Sequence, residues 1–311
     1  MTWTTDDIPD LTGKRAVITG VTGFGLGHHT ALELARKGAE LVVTARNAEK
    51  AKATVADIED KVPGAVVDVV DLDLSELAGT VAAAEEVRQR YDRVDILINN
   101  AGIMATPKAT TADGFELQMG TNHLGHFAWT ATLWPLLTSS SARVVTISSL
   151  AHAWARGIDL DTLTPEGSSR RYGKWRVYGE TKLANLLFAK ELDRRVKAAG
   201  VDVLSVAAHP GYSATNLQKT GLAMGNKLFA TGVFQVSKII GQSPAAGAWP
   251  ALRAATEPGL EGGEYFGPNG PGGYRGRPKR AGMTRIARDP DLAAQLWSAS
   301  EKATGITFDV G

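Results

Sequence analysis

The segment from Arg15 to Gly38 constrains this chain more than any other. Arg15-Ala-Val-Ile-Thr-Gly20 is a short β-branched run, and Val21-Thr-Gly-Phe-Gly-Leu-Gly27 follows without a break. Thr30 to Lys37 then carries Ala31, Leu34 and Ala35 on one helical stripe, with Gly38 as its stop. A strand, a glycine-rich turn and a helix make up the phosphate-cradling unit of dinucleotide-binding folds. Glycines let backbone amides approach a pyrophosphate, and the helix amino end adds positive dipole character. A tight βα turn that holds nothing is the competing reading of this motif taken alone.

The remaining sequence repeats the alternation. Strands are expected at Glu40 to Arg46, Ala65 to Val70, Val94 to Ile98, Val144 to Ser148, Val201 to Ala207 and Glu264 to Phe266. Helical periodicity runs through Ala48 to Ile58, Leu74 to Arg90, Met119 to Leu137, Tyr178 to Ala199, Ala245 to Ala255 and Asp289 to Thr304. The pattern predicts an α/β fold, a single-domain Rossmann-type doubly wound parallel sheet with helices on both faces and ligands at the strand carboxyl ends. A chain of 311 residues with 43% hydrophobic content suits one such domain over 1–311. A net charge of +1 argues against nucleic-acid or membrane-surface partners. With no cysteine there is no disulfide, thiol catalysis or cysteine-ligated metal. The polar, acidic start Met1 to Asp10 lacks a signal-peptide pattern, and no apolar run suffices to span a bilayer. A cytoplasmic protein without a membrane anchor is expected.

Tyr178 and Lys182 stand four residues apart and so project from one helix face. A phenol titrates near ~10, and each unit of downward shift needs about 1.4 kcal/mol of preferential stabilisation of its anion. A neighbouring ammonium would supply it, which makes Tyr178 a candidate acid or base. By itself the spacing also fits a plain exposed helix. Arg46 ends the second strand, where NAD-preferring sites carry a carboxylate for the ribose 2′-hydroxyl. Arginine cannot accept that bond but can pair with a 2′-phosphate, and Lys50 would add charge, so NADP(H) is favoured over NAD(H).

Further motifs run nearly end to end. They are Asp71-Leu-Asp-Leu-Ser75, Asp95-Ile-Leu-Ile-Asn-Asn-Ala-Gly-Ile-Met104, Asn122-His-Leu-Gly-His-Phe127, Arg143-Val-Val-Thr-Ile-Ser-Ser-Leu-Ala-His152, His209-Pro-Gly-Tyr-Ser-Ala-Thr215 and Leu296-Trp-Ser-Ala-Ser300. In this order the chain resembles a short-chain dehydrogenase/reductase, of the branch containing retinol dehydrogenase-like and protochlorophyllide reductase-like proteins. The resemblance implies a catalytic tetrad of Asn122, Ser149, Tyr178 and Lys182. Ser149 would bind the substrate oxygen, Tyr178 exchange the proton, Lys182 bind the nicotinamide ribose and lower the tyrosine pKa, and Asn122 hold a water. It places the cofactor against Gly20, Thr22, Gly23, Phe24, Gly25 and Leu26, with Arg46, Asp73 and Leu74 towards the adenosine. Asn100, Ala101 and Gly102 would lie under the ribose, and Pro210, Gly211 and Thr215 beside the nicotinamide. Ser148 is expected to point away from Ser149, since strand neighbours alternate faces.

The chain also departs from that family. The family turn reads T-G-x-x-x-G-x-G, whereas four residues, Val21 to Phe24, separate Thr19-Gly20 from Gly25-Leu-Gly27 here. Thr19-Gly-Val-Thr-Gly-Phe24 begins instead like the extended branch of epimerases and dehydratases. Glu180 stands where relatives carry Gln or Asn. Two segments are candidates for substrate contact. Ala151 to Arg176 holds His152, Trp154, Tyr172 and Trp175, and the apolar, glycine-containing stretch within 213–240 would serve as a flap. Trp154 and Trp175 could equally pack the loop onto the domain. His123 and His126 lack acidic or cysteine partners and read as packing or capping residues, with no metal site expected.

The favoured function is hydride transfer between nicotinamide and an alcohol or carbonyl group of a lipophilic small molecule. An epimerase or dehydratase and a non-catalytic cofactor-binding scaffold are the alternatives, and self-association is left open. Light-driven tetrapyrrole reduction, as in some relatives, would need a cysteine that is absent.

Overall fold

The computed structural model describes residues 2–46, 48–167, 169–213 and 241–311. Thr215, and the expected flap apart from Ser213, lie outside the described residues. Eight strands are described: β1 (Arg15–Ile18), β2 (Glu40–Ala45), β3 (Val67–Asp71), β4 (Ile96–Asn99), β5 (Arg143–Ile147), β6 (Leu204–Ala208), β7 (Tyr265–Pro268) and β8 (Pro278–Arg280). The helices are α1 (Leu26–Arg36), α2 (Ala48–Lys61), α3 (Leu77–Arg90), the short α4 (Leu117–Met119), α5 (Gly125–Thr138), α6 (Lys174–Ala199), α7 (Pro244–Thr256) and α8 (Pro290–Thr304). A π turn, Gly120–Leu124, joins α4 to α5.

The strands form one sheet in the order β3-β2-β1-β4-β5-β6-β7-β8. Neighbours from β3 to β7 are parallel, and β8 alone runs antiparallel, to β7. The chain winds outward from β1 to β3 and then returns to lay β4 on the other side of β1. Connections therefore leave in opposite directions between β1 and β4, which opens a crevice at their carboxyl ends.

Alternation along each strand distributes the core. Ala16 and Ile18 of β1, Leu41 and Val43 of β2 and Ile96 and Ile98 of β4 pack with α1 and α7. The residues between them, Val17, Val42 and Leu97, pack with α3 and α5 on the opposite face. Strands apolar on both faces need cover on both, and the helices supply it. A third cluster joins Leu183, Leu186 and Leu187 of α6 to Leu296 of α8 and Tyr265 of β7.

The expected elements are present, with shifted ends. Helix α3 starts after Leu74 because Asp73 Oδ1 accepts from the Ser75 amide at 2.9 Å and hydroxyl at 2.6 Å, a local turn that competes with helix. Strand β8 had no apolar signature. It is a three-residue edge strand of Pro, Lys and Arg, residue types that blunt an exposed edge.

The closing Leu296–Ser300 motif braces the middle of the fold. Trp297 packs against Phe127, Phe188 and Phe308 with ring centroids 5.2, 5.8 and 4.8 Å away. Ser300 donates to the Leu296 carbonyl at 2.7 Å, so His123 Nε2, also at 2.7 Å, donates to the Ser300 oxygen. Burial holds His123 down at about 3, with His126 adding to the shift, and the ring is neutral at pH 7. Ser300→Ala would strand a buried imidazole N–H beside the π turn. Unfolding free energy should fall by about 1–3 kcal/mol in denaturant titrations; an unchanged midpoint would show that the ring finds another acceptor.

Candidate active site

The glycine-rich turn is fixed by its neighbours. Thr19 donates its amide to the Ile98 carbonyl at 3.0 Å and Val21 donates to the Thr44 carbonyl at 2.9 Å, which pins the turn between β4 and β2. Gly20 has φ +73°, and a Cβ there would lie 2.8 Å from Ala101 Cβ. A Cβ on Gly27 would meet Asn100 Nδ2 and the Gly20 carbonyl, each at 2.8 Å. Only glycine at both positions lets α1 abut the loop after β4. Helix α1 opens at Gly25 without a side-chain cap, so its first amides stay available to an anion.

The additional residue is taken up on the outside of the turn. Gly23 adopts φ +61° and Phe24 is 60% exposed. The Phe24 ring stands edge-on to His28 with centroids 5.2 Å apart, and Lys61 Nζ lies 6.0 Å from its centre. Beneath it, His28 Nε2 meets Asp57 Oδ2 at 2.7 Å. Gly20 and Gly27 keep their close approaches despite the longer spacing.

Arg46 follows β2, with Nη1 3.9 Å from Asp73 Oδ2 and both side chains largely exposed. Such a pair contributes no more than about 1 kcal/mol and yields readily to a stronger anion. Leu74 is buried in the core, so only its backbone can face a ligand.

After β4, Asn100 and Ala101 donate their amides to Thr19 Oγ1, each at 2.9 Å. The same hydroxyl lies 2.9 Å from His126 Nε2. Since His126 Nδ1 must donate to the Asn122 carbonyl at 3.1 Å, Nε2 accepts the threonine proton. Asn122 sits in the π turn, a distortion frequent at functional positions. Its Oδ1 accepts from the Ile103 amide at 2.8 Å, and its Nδ2 donates to the Ile103 carbonyl at 2.9 Å and to Thr181 Oγ1 at 3.1 Å. A methyl on Gly102 would come within 3.1 Å of Asn122 Oδ1 and 3.6 Å of Lys182 Nζ, so these three converge.

Ser149 follows β5 and caps a 3₁₀ turn, Leu150–Trp154, accepting from the Ala151 amide at 3.2 Å. Ser148 donates to the Lys182 carbonyl at 2.7 Å, tying β5 to α6. Lys182 Nζ donates to the Ile147 carbonyl at 3.2 Å and lies 5.8 Å from the Tyr178 ring centre. Burial pushes the Tyr178 phenol up to about 12, against a smaller opposing pull from its hydrogen bond with Ser149. Burial also brings the Lys182 ammonium down to about 8. The ammonium is bonded to the Ile147 carbonyl, and burial of the phenolate sets the direction of the Tyr178 shift. At pH 7 both groups keep their protons.

Pro210 and Gly211 follow β6, where the Pro210 carbonyl accepts from Ser213 Oγ at 2.8 Å and Gln242 Nε2 at 2.9 Å. A small void lined by Leu26, Asn100, Ile147, His209 and Pro210 lies between the start of α1 and the ends of β5 and β6. Sequence reading gave no role to Thr19 or to Asn185, which donates to the Ile147 carbonyl at 2.9 Å beside Lys182. Thr19 carried a signal, as the residue directly before the first glycine. Asn185 had none.

The short chain dehydrogenase family model matches residues 14–157. Human retinol dehydrogenase 13 is 37% identical over 95% of this chain and 86% of its own length. Mouse retinol dehydrogenase 14 is 36% identical over 94% of this chain and 86% of its own length. The chain belongs to the short-chain dehydrogenase/reductase family. Within it, this dehydrogenase/reductase falls in the retinol dehydrogenase-like branch. A crystal structure of an uncharacterized protein from Mycobacterium paratuberculosis superposes with a TM-score of 0.80 at 40% identity, covering 99% of this chain and 100% of that one. The RhlG/NADP active-site complex of Pseudomonas aeruginosa superposes at 0.62 with 25% identity, over 82% of this chain and 94% of that one.

The family implies a nicotinamide cofactor, and the residues present fit one. The close approaches at Gly20 and Gly27 draw the turn and α1 against the loop after β4, and the α1 amino end beside them is uncapped, with backbone amides that suit a pyrophosphate. With Phe24 turned outward, its deletion should restore the family spacing and preserve or tighten cofactor binding by calorimetry. Weaker binding would show that the longer turn has become part of the cradle.

Proposed function

We propose that this dehydrogenase/reductase is NADP(H)-dependent and interconverts an alcohol and a carbonyl on a lipophilic small molecule, with Asn122, Ser149, Tyr178 and Lys182 as its catalytic residues. The observation that carries this reading is the buried phenol of Tyr178, neutral at pH 7, hydrogen-bonded with Ser149 and one helical turn from a buried ammonium.

Bound nicotinamide supplies the hydride to the carbonyl carbon, or accepts it in the reverse direction. Ser149 and Tyr178 both hydrogen-bond the substrate oxygen, and Tyr178 transfers its proton there as negative charge develops. Lys182, still protonated near neutrality, holds the ribose and offsets the phenolate left behind. Asn122, locked at both ends of its amide, holds the water through which a proton returns. The glycine turn from Gly20 to Leu26, Asn100 to Gly102, and Pro210 with Gly211 and Thr215 bind the rest of the cofactor. On this reading residues 1–311 act as one unit, with 213–240 as its substrate-side flap. The retinol dehydrogenase-like relatives support this reading over an epimerase or dehydratase.

A lipophilic substrate is supported by two aromatic side chains. Trp154 and Trp175 are 61% and 39% exposed, and their rings meet edge-on at 6.2 Å. Trp175 continues to Tyr178, with centroids 6.5 Å apart. Other residues also tie down the loop that separates Ser149 from Tyr178. Arg170 does so by bonding Asp159 and Glu180, and Tyr172 by donating to the Thr106 carbonyl at 2.9 Å. Exposed tryptophans leading to the reacting group suit an apolar ligand, in keeping with the name of the human relative.

Tyr178→Phe keeps the ring but removes the proton. With a carbonyl and alcohol panel followed by nicotinamide absorbance, turnover should fall by about 10²–10⁴ while cofactor binding survives. Near-normal turnover would refute the assignment.

Arg46 argues for the 2′-phosphate, as does NADP in the RhlG complex. Charge-assisted bonds of this type contribute roughly 1.5–3 kcal/mol, or about one to two decades of preference for NADP(H). Arg46→Asp should reverse that preference in dissociation constants. Equal affinity of the unaltered protein for NADPH and NADH, at low and high salt, would count against it.

A further inference from the structure

We infer that His152 is a positioning residue for Ser149, which it holds through the main chain from a pocket walled by Tyr265. Ser149 leaves β5 in an extended conformation, φ −157° and ψ 160°, and the chain turns at once into the 3₁₀ segment. Its carbonyl receives two bonds from the same residue. The His152 amide reaches it at 3.1 Å, and His152 Nδ1 at the shorter 2.7 Å.

The imidazole is committed to that bond. His152 is 4% exposed, and its Nε2 has no partner among the described residues. A carbonyl only accepts, so Nδ1 carries the proton and Nε2 is bare. Burial disfavours the charged ring, against a smaller opposing pull from its bond to Ser149. A buried, unpaired nitrogen is costly, and an apolar side chain would fill this space without that cost. What the imidazole adds is the Nδ1–H bond to Ser149.

Tyr265 fixes the ring from behind. The His152 ring meets it edge-on, with centroids 5.7 Å apart and an interplanar angle of 88°. Tyr265 is itself 2% exposed and wedged against His209 at 5.1 Å. The two serines are thus held separately, Ser148 by α6 and Ser149 by His152. Rotation of the Ser149 peptide would swing its Oγ, and a displacement near 1 Å can cost about 10² in rate.

The rate arm of the test rests on the proposed role of Ser149; the spectroscopic arm does not. In His152→Leu, kcat should fall by about 10- to 100-fold with the cofactor dissociation constant unchanged. His152→Asn, which keeps an N–H near the Nδ1 position, should recover most of the rate. Nitrogen NMR of the labelled, unaltered protein should show a neutral Nδ1–H tautomer at about pH 8. Normal kcat in His152→Leu, equal damage in both variants with loss of cofactor binding, or an Nε2–H tautomer would each overturn the proposal. If the unaltered protein has no turnover at all, the functional reading fails, and the tautomer alone decides whether the bond exists.

Discussion

The hydroxyl of Thr19 is the interaction on which the site depends. It accepts from Asn100 and Ala101 and donates to His126, which in turn donates to the Asn122 carbonyl. One oxygen thereby connects the glycine turn after β1, the loop after β4 and the π turn ahead of α5, and Thr181 extends the connection to α6. Thr19 is 0% exposed, so water does not compete for these bonds, and the members polarise one another in a low-dielectric interior. Without this hub the glycine turn and helix α6 would be separate features of the same sheet edge.

Burial also sets the electrostatics there. It acts in opposite directions on an acid that ionises to an anion and a base that protonates to a cation, raising Tyr178 to about 12 and lowering Lys182 to about 8. A pair at this spacing on an exposed helix would draw the two groups towards mutual charge stabilisation. In this interior, with the ammonium on the Ile147 carbonyl, both stay protonated at neutrality.

The longer glycine turn shows how a departure in local sequence can leave a distant geometry intact. The approaches that matter run from Gly20 to Ala101 and from Gly27 to Asn100, across to another strand. Val21 stays buried in the core while Phe24 turns to solvent, over His28 of α1 and near Lys61 of α2, so length is absorbed where packing is least demanding. Motif spacing in the sequence measures contour length, and the cradle requires only that its two ends be held.

The order of strands and helices, both faces of the sheet and the helical neighbours Tyr178 and Lys182 were legible in the sequence, because periods of two and 3.6 are properties of contiguous residues. So was the set of candidate residues on the loops after β1, β4, β5 and β6, since parallel strands bring those loops to one edge. The partners of those residues were not legible. Thr19 meets Asn100 across 81 residues, Asn122 meets Thr181 across 59, and His123 meets Ser300 across 177. Strand β8, the division of labour between Ser148 and Ser149, the outward turn of Phe24 and the raised phenol at Tyr178 were likewise decided by tertiary structure alone. Each depends on which distant groups exclude water from a given atom, and desolvation is a property of the assembled surroundings that no run of contiguous residues contains.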